Sequence, residues 1–197
     1  NPTGIPYYIY YNYTKLARSD VLAAIDVAFG TWEAAQQTMS SNTDSIGARL
    51  DYTFVNTLTK VTIPKLDGKN VLGWKRLRPG YVAVTYVWYY TATKEIAEFD
   101  IIFNNYYAWT YTPPIGIDNN AATYEDPTNS APLGTFDLRD IATHETGHTL
   151  MLDDIYDDGD GVAGEELLTM YGYASYSELL KDTVQRGDHL GVRHIYP

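Results

Sequence analysis

The chain has no cysteine among its 197 residues. That excludes disulfides, thiolate metal sites and cysteine nucleophiles, and it leaves the redox compartment open. Positive charge is scarce. Only 14 Lys and Arg stand against 25 Asp and Glu, a formal net charge of −11. Such a surface repels phosphate backbones, so nucleic acid is not expected as a partner. No run of eighteen apolar residues occurs, so no membrane span is expected. The opening "NPTGIPYYIYY" lacks the basic-then-apolar layout of a signal peptide, and is read as the start of a mature fragment. Histidine is also rare, at four residues, so each one is a candidate for chemistry.

What is present points to one globular domain over residues 1–197. Apolar residues make up 45%, enough for a substantial core. Nineteen Tyr supply packing area with a polar tip, which suits wide sheets and clefts. Ile5–Tyr13 is aromatic and β-branched and reads as a strand. Ser19–Met39 carries Leu22, Ile25, Phe29, Trp32, Ala35 and Met39 at helical spacing, with Ser19 as the expected cap. Ala48–Asn56 alternates like a half-buried strand.

Tyr81–Thr91 is apolar or aromatic on both faces and is expected at the centre of the sheet. Glu95–Asn105 alternates and is expected beside it. Tyr111–Gly134 reads as a long loop, of the kind that is functional or stiffened by metal. A helix is expected from Asp137, capped by that residue and stapled by Phe136 against Ile141. Asp182–Tyr196 reads as a terminal helix. The fold class is α/β (α+β): a twisted mixed sheet with two helices in an N-terminal lobe of about residues 1–150. A small irregular lobe, about residues 151–197, closes with the terminal helix. A cleft between the lobes would have the Asp137 helix as its floor.

That helix carries "HETGH", His144 to His148. Residues four apart share one helix face, so His144 and His148 can present two imidazoles to one ion. Glu145 can then act as general base on a water at the metal. Catalytic zinc usually takes three protein ligands. Asp153, Asp154, Glu165, Glu166, His189 and His194 are the candidates for the third. Geometry constrains Asp154. On an unbroken helix it would point about 120° away from His148, so the helix must stop near Leu150 to Leu152. The acidic run Asp153–Glu166 also suits a calcium ion, with Asp157, Asp158 and Asp160 as candidate ligands; a solvated acidic loop is the alternative.

"HETGHTLMLDD" resembles the zinc motif of the metzincin metallopeptidases, HExxHxxGxxH or its variant ending in Asp. "LLTMYGY" is similar to the Met-turn of that clan, with Met170 followed by Tyr171 as in matrixins. "IPYYIYYN", "AIDVAFGTWEA", "AEFDIIFNNYYAW" and "GDHLGVRHIYP" resemble matrixin segments in the right order, so the likeness spans most of the chain.

The resemblance implies a metzincin-like fold and a secreted zinc endopeptidase acting on protein or peptide substrates, expected as a monomer. His144, His148 and Asp154 would hold Zn²⁺, with Glu145 as the base. Met170 would form the floor of the site, and Tyr171 and Tyr173 would border the specificity pocket. Substrate would lie along Glu95–Asn105. One departure stands out: Met151 occupies the position of the family's glycine, where the chain leaves the helix. Two alternatives stay open. One is a catalytically silent metal-binding protein of the same fold. The other is a gluzincin-type hydrolase with Glu165 or Glu166 as third ligand.

Overall fold

A computed structural model describes residues 4–13, 15–40, 50–113, 130–157 and 164–196. Within them the chain is mixed α/β. Its larger sheet has five strands: β1 (Ile5–Tyr10), β2 (Tyr52–Leu58), β3 (Asn70–Lys75), β4 (Ala83–Tyr89) and β5 (Ile96–Asn104). Their order is β2-β1-β3-β5-β4. The β1–β2, β1–β3 and β3–β5 pairs are parallel, and β4 runs antiparallel to β5. Two short strands, β6 (Trp109–Thr110) and β7 (Phe136–Asp137), form a separate parallel pair. The helices are α1 (Arg18–Ser40), α2 (Leu138–His148) and α3 (Arg186–Ile195). No described helix is long and apolar enough to cross a membrane.

The main core lies between the sheet and α1 and α2. Val21, Ile25 and Phe29 of α1 meet Tyr7 and Ile9 of β1, Leu72 of β3 and Ile101 of β5, all buried. Phe29 stacks on Tyr52 of β2, ring centroids 4.2 Å apart. Burying side chains of this size stabilises the fold by about 1.5–3 kcal/mol each relative to exposure. A smaller cluster holds Trp32 of α1, Met170 and Val192 of α3 together beneath α2. The terminal helix is thus tied to the main body through the residues under the histidine motif.

Three sequence expectations are corrected. Tyr81–Thr91 was expected at the centre of the sheet, but β4 is an edge strand. Tyr and Trp bury a ring while keeping a wet tip, so an aromatic strand suits an edge as well as a centre. Glu95–Asn105 was expected to receive substrate, but β5 is paired on both sides and has no free edge. Its polar positions misled because Glu98, Asp100 and Asn104 are all buried. Backbone N–H groups from residues 65–77 bind their side chains. Finally, Ser19 sits inside the first turn of α1, its hydroxyl against Asp20, and does not cap the helix.

The central strand β3 has no counterpart in the sequence reading. It is six residues long and interrupted by Gly73. A Cβ there would meet the Ile63 Cδ1 at 2.9 Å and the Tyr10 Cβ at 3.0 Å, so glycine is what allows β1 and the Ile63 segment to close on it.

Candidate metal centre

α2 is placed before it is functional. Asp137 caps it as expected, its carboxylate accepting from the N–H groups of Arg139 and Asp140. Trp32 of α1 donates its indole N–H to the Thr143 carbonyl at 2.7 Å. Gly147 is the point of closest approach: a Cβ there would overlap the Met170 sulfur and the Trp32 ring. Glycine costs a helix interior roughly 1 kcal/mol. Here it lets α2 sit directly on Met170, which is 1% exposed.

His144 and His148 face the same side of α2, ring centroids 4.9 Å apart. Each is oriented by a backbone carbonyl. His144 Nδ1 lies 2.7 Å from the Thr169 oxygen, and His148 Nδ1 lies 2.8 Å from the Leu152 oxygen. A carbonyl only accepts, so both Nδ1 atoms carry the proton and both Nε2 atoms are left as potential ligands.

The two Nε2 atoms converge on one oxygen. Asp154 Oδ1 is 3.2 Å from His144 Nε2 and 3.4 Å from His148 Nε2. That oxygen is buried and accepts no hydrogen bond while both Nε2 atoms are unprotonated. With both imidazoles neutral, two lone pairs would point at a carboxylate oxygen, a repulsive arrangement. A cation among the three atoms removes the repulsion. Protons on Nε2 do so in part: His144 and then His148 then donate to Asp154 and hold its carboxyl far below the usual carboxylate range. Burial works to lower the His148 pKa, but Asp154, Glu145 and the Leu152 carbonyl together raise it to about 9. A divalent metal satisfies the same three atoms. They are the one such group among the described residues, and this donor set fits zinc.

The turn that delivers Asp154 answers the question posed by Met151. The Leu152 N–H bonds back to the Gly147 carbonyl at 3.3 Å, and the Met151 N–H to the His148 carbonyl at 2.9 Å. This is the paired 6→1 and 5→2 bonding of a Schellman ending. Met151 takes the left-handed position, with φ of 64°. A side chain there costs roughly 1–2 kcal/mol. The next residues are then tied down. Ile155 bonds to Met170 and Gly172 at 2.8 and 2.9 Å, so the segment after Asp154 is laced to the Met170 segment.

Further residues complete the shell. Tyr156 donates its hydroxyl to Asp154 Oδ2 at 2.9 Å, turning the other oxygen to the histidines. Its ring lies over Gly172, where a Cβ would collide with it. Asp188 of α3 accepts from the N–H groups of Thr169 and Met170, both at 3.1 Å, and so fixes the carbonyl that orients His144. Glu145 is buried beside the histidines. Thr85 of β4 donates to Glu145 Oε2 at 2.6 Å. All four candidate groups, His144, Glu145, His148 and Asp154, line one cavity of about 660 Å³. β4 forms one wall and Tyr171 to Ala174 another, so Tyr171 and Tyr173 do border the cavity.

The other candidates fall elsewhere. Glu165 and Glu166 lie in a single 3-10 turn, outside the three-atom group. Asp153 is exposed and accepts from the Asp154 N–H. His189 faces the Val184 carbonyl at 3.2 Å, and His194 is exposed on α3. Of the calcium candidates, Asp157 is exposed, while Asp158 and Asp160 lie outside the described residues, as does most of the long Tyr111–Gly134 loop.

Thr85, Tyr156 and Asp188 were missed from sequence. Tyr156 carried a usable signal, two residues past the Asp. Thr85 and Asp188 act across 60 and 19 residues and carried none.

No protein-family model matches the chain. No curated protein matches it either. The geometry of the residues therefore carries the functional reading by itself.

Proposed function

We propose that the chain is a zinc-dependent endopeptidase of metzincin-like type. One observation carries the proposal: two carbonyl-oriented imidazoles, a buried aspartate oxygen facing them and a buried glutamate share one cavity walled by a strand whose outer edge is unpaired among the described residues.

His144, His148 and Asp154 are the residues that would hold the ion. Two neutral imidazoles and one carboxylate leave the site at a formal +1. When bound there, zinc supplies a water of lowered pKa and a Lewis acid for the scissile carbonyl. Glu145 is the general base: one oxygen is held by Thr85, and the other takes a proton from the attacking water and delivers it to the leaving amine. In the metal-free site hydrogen bonds from His144, His148 and Tyr156 favour the charged form of Asp154, and Tyr156 still donates to it when both imidazoles are neutral. Substrate binds extended against the outer edge of β4, which no strand pairs among the described residues and which can receive a peptide as an added strand.

The geometry favours this over its alternatives. Met151, the main reason to keep a catalytically silent protein in view, adopts the left-handed turn conformation. The gluzincin reading needs Glu165 or Glu166 at the histidines, where Asp154 stands.

Glu145→Gln tests the assignment. It should retain one zinc per chain and lose peptide cleavage by about 10²–10⁴-fold, the usual range for a general base. Casein cleavage at the wild-type rate by this variant would refute the role.

A further inference from the structure

The cavity wall contains a lysine that the proposed chemistry does not use. Lys181 lines the same space as the zinc ligands, yet is only 1% exposed, so it stands at the buried end. Its ammonium donates to Glu178 Oε1 at 2.9 Å, and the Tyr171 ring centroid lies 5.7 Å away. The other Glu178 oxygen accepts the Ser175 N–H at 2.8 Å, so Glu178 is held in place. The Lys181 N–H is itself anchored to Asp140 Oδ1 of α2 at 2.6 Å. An ammonium has three donors. Glu178 is the one hydrogen-bond acceptor it meets among the described residues.

A buried ion pair is a weak device for stability, and apolar residues of like size often serve as well or better. Placing one at the buried end, or arm, of the cavity, whose wall also holds Ile141, Tyr171 and Ala174, therefore asks for a partner from outside. The charge balance says which kind. Glu178 cancels the lysine. Burial raises the Asp140 carboxyl well above the usual range while Lys181 lowers it, and in either state it adds no positive charge. The base of the arm therefore carries no net positive charge but keeps spare donors. A substrate carboxylate would lose its water and meet Glu178, whereas an uncharged acceptor matches the donors without that cost.

We propose that Lys181 is a specificity-determining residue whose ammonium hydrogen-bonds a substrate carboxamide side chain, Gln or Asn, entering this arm of the cleft. This rests on the peptidase reading. A donor aimed at a buried acceptor discriminates strongly against the analogue that lacks the acceptor.

The test is a position-scanning peptide library on the zinc-loaded protein. The wild type should prefer Gln or Asn over Leu, Met and Glu by about tenfold or more at one position beside the scissile bond. Lys181→Met should move that position to Leu and Met. Glu178→Gln removes the counter-charge and keeps the lysine, so it should move the same position to Glu. If Lys181→Met does not fold, Glu178→Gln decides alone. Cleavage with an unchanged profile in either folded variant, or a wild type indifferent at every flanking position, overturns the specificity assignment and leaves the peptidase reading intact. A zinc-loaded wild type that cleaves no peptide overturns both.

Discussion

Asp154 and Asp100 are both withdrawn from water, and their surroundings drive them in opposite directions. Asp100 of β5 accepts backbone N–H bonds from Lys65 and Val71, each at 2.9 Å. Burial and the neighbouring Glu98 and Asp67 outweigh those bonds and raise its pKa to about 6. Asp154 faces two imidazoles and a tyrosine hydroxyl, and these depress it far below the ordinary carboxylate range. The first carboxylate is matched oxygen by oxygen to neutral donors and pins a loop to the sheet. The second keeps one buried oxygen aimed at two nitrogens that can also serve as ligands. Burial and acidity do not distinguish a structural acid from a candidate metal ligand. What sets Asp154 apart is that its buried oxygen lies within 3.4 Å of two imidazole nitrogens.

Exchanging each carboxylate for a methyl should pull the two regions apart most. Asp154→Ala is expected to weaken zinc by more than the 10–100-fold typical of losing a supporting partner. Isothermal titration against a competing chelator measures this. Asp100→Ala should leave zinc affinity within about twofold. It should instead lower stability, because the buried Val71 amide loses its acceptor, a cost of about 1–3 kcal/mol. Equal zinc affinity in the wild type and Asp154→Ala would erase the distinction.

The same pair should respond to pH with opposite signs in metal-free protein. The folded pKa of Asp100, about 6, lies above its unfolded value near 3.9. Its contribution to stability is thus fully present below about pH 4 and lost as pH rises through 6. Asp154 is depressed, so its contribution is present above the unfolded value and lost as pH falls through the folded one. Carbon-detected NMR should find the Asp100 carboxyl titrating near 6 and Asp154 still ionised at the acid limit of the fold. An Asp100 midpoint near 4 would contradict the first half.

How much of this was legible in sequence follows the range of each interaction. α2, its Asp137 cap and the His144–Glu145–His148 face were readable because each depends on residues within eleven positions of chain. Asp154 was readable once a helix stop was assumed. The sheet was harder. β3 is a six-residue strand whose three apolar side chains, Val71, Leu72 and Trp74, are interrupted by Gly73, too short for periodicity to register. The places of β4 and β5 were exchanged because alternation treats Glu98 and Asp100 as solvent-facing. No pattern announces that amides at residues 65–71 will bury them. Asp188 and Thr85 reach the site only through the folded topology.

A smaller effect is expected from the support of Asp154. Tyr156→Phe removes the hydrogen bond to Oδ2 and keeps the ring over Gly172. Zinc affinity should fall roughly tenfold, the low end for a partner that orients a ligand. The chelated protein should unfold within a degree or two of wild type. A large stability loss with unchanged affinity would make Tyr156 a packing residue and move it to the Asp100 side of the comparison.

The smallest effect concerns the turn itself. Met151 sits at φ 64° with its side chain partly exposed at the cavity rim. Glycine adopts that conformation without the roughly 1–2 kcal/mol of a left-handed side chain. It also gives the unfolded chain more freedom, which returns part of the gain. Met151→Gly should therefore stabilise by at most about 1 kcal/mol, read from urea unfolding of the metal-free protein, with zinc affinity unchanged. The argument turns on the hydrogen bonds: those at Gly147 and His148 are made by backbone atoms that the substitution leaves in place. If zinc bound markedly better to Met151→Gly, the methionine would be straining the ligand geometry. The ladder from Ile155 to Met170 and Gly172 would then not be what holds Asp154 at the histidines.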